Sequence, residues 1–251
     1  MTFVALRLTT TATALLSIVL LAGCGGGGSS APVMNSTPPP SSASFPIQQA
    51  MHKMYATGYQ KNYTINGTAS MSGQTYPISG ALQIAETLVN ANATFNGQAA
   101  IEDAMIGSGT ITIENLPFNL GNFIHSNIYL DANNSVLGVT TPNSYCVNQS
   151  GSGYPTTAII GQSGTVSFVA CYTDSSKSTT MGSETISFAV TAGPSATTAV
   201  VTLTFTQTNA AGQQAFSYQA SYSVDTSANI TAQSLVYSID INGVQVSFTA
   251  K

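Results

Sequence analysis

The chain is short of charge. Only five Lys+Arg and nine Asp+Glu stand among its 251 residues, 6% of the total, where an ordinary soluble domain carries roughly 25%. Outside the first ten positions the basic residues are Lys53, Lys61, Lys177 and Lys251. They cannot build a phosphate-tracking surface, so nucleic acid is excluded as a partner. The same shortage excludes charge-flanked coiled coils, polybasic membrane patches and charge-driven disorder. Trp is absent altogether, which weakens any sugar-stacking site even with Tyr available. His is nearly absent too: His52 and His125 stand far apart, and no His-Glu-x-x-His spacing occurs. Each reads as a satisfied or solvent-facing imidazole.

Catalytic and cofactor motifs are missing as well. Gly161-Gln162-Ser163-Gly164 comes nearest to the Gly-x-Ser-x-Gly nucleophile elbow and fails at its last position. No Gly-rich phosphate loop lies between a strand and a helix, so no cofactor is expected. Glu102-Asp103 is the one adjacent acidic pair. Strand neighbours point to opposite faces, so these two would not cooperate as acid and base. Asp131-Ala132-Asn133-Asn134 offers oxygen ligands but lacks the continuation of a calcium loop and reads as a hairpin turn. The expectation is a protein that is not an enzyme.

The chain does contain an address. Arg7 precedes an apolar stretch, dense from Ala14 to Ala22 and broken only by Ser17. It is too short to cross a bilayer, which needs about 20 residues, and Gly23 with Gly25 to Gly28 ends any helix. A charged start, a short apolar run and small residues describe a secretory signal peptide. The run ends in Leu21-Ala22-Gly23-Cys24, which resembles the bacterial lipobox of lipoprotein signal peptides. That resemblance covers only the first 24 residues and implies three things. Residues 1–23 are removed, the Cys24 thiol receives a diacylglyceryl group, and its new amino terminus is acylated. Two or three chains anchor stably at about 0.8 kcal/mol per buried CH₂. Gly25 stands where an Asp would retain the protein in the inner membrane of enteric bacteria, so the outer membrane of a bacterial envelope is favoured.

Residues 25–46, rich in Gly, Ser and Pro, read as a tether spanning roughly 25 Å. Ser41, Ser42 and Ser44 in it are O-glycan candidates, the alternative being an undecorated spacer. Beyond the tether, 47–251 reads as a single all-β domain with one short N-terminal helix. Ile47, Ala50, Met51, Met54 and Tyr55 recur at helical spacing between Pro46 and Gly58. From Tyr59 onward apolar and polar residues alternate. The pattern is clearest at Ile186/Phe188/Val190, Val201/Leu203/Phe205, Phe216/Tyr218/Tyr222 and Leu235/Tyr237/Ile239, opposite faces that carry Ser, Thr, Gln and Asn. Ser72-Gly73 and Asn242-Gly243 mark turns.

Such patterning describes an antiparallel β-meander of roughly ten to twelve strands, forming either a sandwich or a closed lipocalin-like barrel. A membrane-spanning barrel would alternate in the same way, but the aromatic residues are spread along the strands and form no girdles. With Cys24 assigned to lipid, Cys146 and Cys171 remain as a disulfide pair in an oxidising compartment. A loop of this length gives roughly 3–3.5 kcal/mol.

Two functions follow as expectations. One is a lipid-anchored envelope lipoprotein whose β domain serves interaction or structure, with a protein partner. The alternative is a lipocalin-like barrel holding a small apolar ligand. An apolar cavity of about 300 Å³ or more would favour the second. Strands with neutral outer faces lack the Lys and Glu that discourage edge pairing, so closure of the sheet, or a partner at its edges, is also expected.

Overall fold

The computed structural model describes residues 43–71, 74–119, 125–241 and 244–251. The signal peptide, Cys24, the tether through Ser42 and the turns at 72–73 and 242–243 lie outside the described residues.

The described part begins inside what composition assigns to the tether. Phe45 is fully buried and pairs with Ala158 through two backbone hydrogen bonds of 2.8 and 2.9 Å. Helix α1 spans Ile47–Thr57. Its Ile47, Ala50, Met51, Met54 and Tyr55 are all buried, the stripe that the 3.6-residue period places on one face. Gly58 ends the helix at φ 67°, and its N–H reaches the Met54 carbonyl at 2.8 Å.

The strands follow in sequence. They are β1 (Tyr59–Met71), β2 (Gln74–Phe95), β3 (Gln98–Ile113), β4 (Leu116–Asn119), β5 (His125–Leu130), β6 (Val136–Thr141) and β7 (Ser144–Ser150). Then come β8 (Ser163–Tyr172), β9 (Thr180–Ala192), β10 (Thr198–Asn209), β11 (Gln214–Asp225), β12 (Ile230–Ile241) and β13 (Val244–Ala250). Every pairing is antiparallel, and each strand but β4 lies beside its sequence neighbours in a continuous ring. The ring closes where β13 pairs with β1, for example Ala250 with Ile65 and Phe248 with Gly67. Strand β3 carries β5 on Ile101 to Ile106 and the four-residue β4 on Thr110 to Ile113. The architecture is therefore a closed barrel of twelve strands, with β4 as a side hairpin. Between the two architectures that the alternation permits, closure is realised, and it removes the open edges that neutral strands could not guard.

Side chains alternate across most of this wall, most cleanly along β10 and β11. Val201, Leu203, Ile186, Ile65, Leu82 and Leu130 point inward and are buried. Outward positions carry hydroxyls and amides, some joined across strands, as Thr202 to Ser221 at 3.0 Å and Ser183 to Thr208 at 2.9 Å. An apolar interior with a polar exterior is the reverse of a membrane-spanning barrel.

One end of the barrel is capped by α1. Its Gln48 side chain donates to the Asn133 carbonyl, and its Lys53 ammonium donates to the Ser227 carbonyl. Its His52 Nδ1 lies 2.9 Å from Asn134 Oδ1. These partners sit in the β5–β6 and β11–β12 turns, so the helix is tied to the rim that it closes.

The β2–β3 hairpin extends past the barrel and folds back over its outside. Register shifts at Leu88/Asn90 and Asn90/Ala93 supply the bend. The tip is Asn96-Gly97, with φ values of 49° and 79°, the two left-handed residues of a tight hairpin turn. Phe95 stacks on Tyr129 at 4.4 Å and on Tyr145 at 4.9 Å. Gly138 makes that seat possible, since a Cβ there would fall 2.2 Å from the Phe95 ring.

Candidate functional site

The end opposite α1 is open and holds a cavity of about 260 Å³. Residues of eight strands line it, from β3, β5, β6, β7, β9, β10, β11 and β12. One wall is aromatic by register. Phe205, Tyr218, Tyr237 and Phe248 are successive partners across β10 to β13, so their rings stack into a ladder. Centroids lie 4.2, 5.2 and 5.0 Å apart with interplanar angles of 5°, 11° and 18°. Phe216 leans on this ladder, 5.6 Å from Tyr218 and 5.9 Å from Tyr237. The facing wall is aliphatic and sulfur-bearing, with Met105, Ile128, Val139 and Cys146. Cys146 is disulfide-bonded to Cys171, its direct partner across β7 and β8. The pair thus staples the wall of the cavity as well as the segment between the two strands.

Polar groups are few and specifically placed. Glu184 pairs in register with Gln207, which pairs with Phe216, one row nearer the mouth than the ladder. Burial pushes the Glu184 carboxyl up to about 7. Its side chain is deep-set in the barrel yet touches the space of the cavity, which leaves it partly accessible. No side-chain hydrogen bond or ion pair reaches its carboxylate among the described residues. The Tyr218 hydroxyl is raised well above its ordinary value by burial first, then by Tyr237 and Glu184. His125 and Asn143 stand at the rim. Among the described residues no Lys or Arg lines the cavity.

A second acidic site lies sealed under the helix. Glu86 faces Tyr59 on β1 and Met105 on β3, and Asp103 sits on the same inward face. They are 4% and 1% exposed, and Glu86 Oε2, Asp103 Oδ1 and the Tyr63 hydroxyl have no hydrogen-bond partner among the described residues. Burial, then the negative charge of Asp103, pushes the Glu86 carboxyl up to about 8, against the opposing pull of the Tyr59 hydroxyl. Burial alone pushes Asp103 up to about 7. Lys61, on the same stretch of β1, donates instead to the Ala232 and Gln233 carbonyls of β12, beyond the end of β13.

Residues singled out by sequence are dispersed. Glu102 and Asp103 do point to opposite faces. Glu102 lies outside and accepts from Asn127 at 2.7 Å and Tyr129 at 3.1 Å, while Asp103 lies inside. Asp131 Oδ1 accepts from the Asn133 and Ser135 N–H groups, as a hairpin turn requires. His52 and His125 occupy opposite ends of the barrel. Among the described residues no group of three His, Cys, Asp or Glu is placed to hold a metal ion.

Sequence reasoning passed over Glu184, Glu86 and the aromatic ladder as a site. The signal was present as parity: Glu184 shares its face with Ile186 and Phe188, and Glu86 shares its face with Leu82 and Ile84. A carboxylate at an inward position is rarely placed there by packing alone. Compared with protein-family models, curated proteins and solved structures, the chain gives no significant match to any.

Proposed function

We propose that this protein is a lipid-anchored lipoprotein of the bacterial cell envelope whose barrel binds a small, largely apolar ligand at its open mouth. The observation that carries the binding half is the cavity of about 260 Å³ with an aromatic ladder on one side and Met105, Ile128 and Val139 on the other. Pockets that enclose a drug-sized ligand start at about 300 Å³, so the occupant is a compact molecule or one whose end protrudes. Aromatic rings supply area and orientation together. The anchoring half rests on Leu21-Ala22-Gly23-Cys24, with Cys24 acylated and the following segment serving as tether. The sealed end, the stapled wall and the open mouth suit a carrier or receptor for a ligand, without chemistry performed on it.

The binding half is tested with the neutral aromatic probe N-phenyl-1-naphthylamine. Its fluorescence should rise saturably with the wild-type protein, and Gln207→Trp, which fills the mouth, should abolish the rise while the fold is retained. A probe response unchanged by Gln207→Trp would overturn the reading. For the anchor, Cys24→Ser should move the protein from the detergent phase to the aqueous phase, and retention in detergent would overturn that assignment.

A further inference from the structure

We propose that the mouth cavity selects ligands that carry a cationic amine or quaternary ammonium head on an apolar body, with Glu184 as the counter-charge and Phe205, the near end of the aromatic ladder, as the platform. This inference rests on the mouth being a ligand site and adds the chemistry of the head group.

Three observations converge on it. Among the described residues Glu184 is the one carboxylate that lines the cavity, and no Lys or Arg lines it. The basic side chains that the described residues show bonded are engaged elsewhere: Lys53 at Ser227, Lys61 at Ala232 and Gln233, and Lys177 at Asn96. A carboxylate set in an apolar wall without a partner is costly, and a ligand cation is the group that would satisfy it. Finally, the Glu184 row lies directly beside the ring row. A head group at Glu184 therefore also meets Phe205, the end ring of the stack, on the face that Tyr218 does not cover, where the negative quadrupole attracts a cation. The same arrangement rejects fatty-acid and other carboxylate ligands, which would place one anion against another with no Lys or Arg among the described lining residues to receive it.

Titration offers an independent handle. The ionisable groups that line the cavity with Glu184 are His125 from β5, Tyr218 from β11 and Tyr237 from β12; Tyr218 interacts with the Glu184 charge and also with that of Glu86. Both tyrosines stay neutral below pH 10, since burial raises them. A carboxyl that titrates near 7 is mostly protonated at pH 6 and mostly ionised at pH 8. The affinity for a permanent cation should therefore rise about tenfold across that interval. His125→Gln serves as the control at a neighbouring residue of the cavity lining.

The test uses three probes of one shape class on the wild-type protein: benzyltrimethylammonium, its neutral isostere neopentylbenzene, and phenylpropanoate. Titration calorimetry at pH 6 and pH 8 reads each affinity. The expected result is a cation bound at least about tenfold tighter than the isostere at pH 8, with phenylpropanoate weakest. Glu184→Gln should remove the preference and the pH dependence, and His125→Gln should leave most of both. If the isostere binds and the cation binds no better, the head-group inference fails while the ligand site stands. If the cation preference survives Glu184→Gln, the inference also fails. If no probe binds, both readings fall together.

Discussion

The two ends of the barrel treat buried carboxylates in opposite ways. Under α1, Glu86 and Asp103 are sealed among Tyr59, Tyr63 and Met105, with oxygens that nothing among the described residues satisfies. At the mouth, Glu184 is set as deeply in the strand order but opens onto a cavity. Burial raises the pKa of all three, yet only Glu184 can be reached by a solute. A sealed carboxylate can act only on the pH dependence of stability, whereas one that opens onto a cavity is also placed to meet a solute.

The largest effect that would break this comparison is on pH-dependent stability. Glu86 and Asp103 titrate at about 8 and about 7 in the folded protein, against ordinary values of 4.5 and 3.8. Between those limits the folded chain holds more protons than the unfolded chain, so stability falls as pH rises. It is full below about pH 4 and lowest above about pH 8, a loss on the order of several kcal/mol. The urea midpoint should therefore drop from pH 5 to pH 8.5, and Glu86→Gln with Asp103→Asn should flatten most of the slope. Glu184→Gln, beside water, should flatten it less. Equal flattening by the two changes would erase the distinction between the ends.

Packing should show the same asymmetry. Met51→Ala under the cap removes a fully buried side chain and should cost about 2–5 kcal/mol in chemical denaturation. Met181→Ala at the mouth, where the side chain is 37% exposed, should stay within about 0.5 kcal/mol. Replacing Cys146 and Cys171 together with Ala should cost about 3 kcal/mol. Because Cys146 lines the cavity, hydrogen exchange should quicken first in β7 and β8 and spare α1. The smallest effect is expected at Lys177→Ala. Its ammonium bonds Asn96 at the tip of the folded-back hairpin at 2.6 Å, and an exposed contact of this kind contributes under about 1 kcal/mol. Faster exchange confined to the hairpin tip is the reading to look for.

Legibility followed local periodicity. Pro46, Gly58 and the Ile47/Met51/Met54/Tyr55 stripe locate α1 almost to the residue, because a helix is specified by its own neighbours. The strongly alternating third from Ile186 onward reads directly as strands, and Cys146 with Cys171 reads as a pair. The long strands β2 and β3 were harder. Residues 86–104 mix Ala, Asn, Thr and acids without clean alternation, because part of the hairpin has barrel on one side and part lies against the outer wall. Phe95 beside the Asn96-Gly97 tip has partners, Tyr129, Gly138 and Tyr145, that lie too far along the chain for any local pattern to name them.

What the sequence alone determined is parity: which residues share a face, where strands turn, and that neutral strands need their edges covered. Parity already set Glu184, Glu86 and Asp103 on the inward face. Only the tertiary structure decided that the sheet closes on itself, that α1 covers one end, and that the other end stays open. Those choices depend on contacts between residues far apart in sequence, Ala250 with Ile65 and His52 with Asn134 among them. The physical reason is that alternation is a property of single strands, whereas an enclosed cavity is a property of where all of them finish.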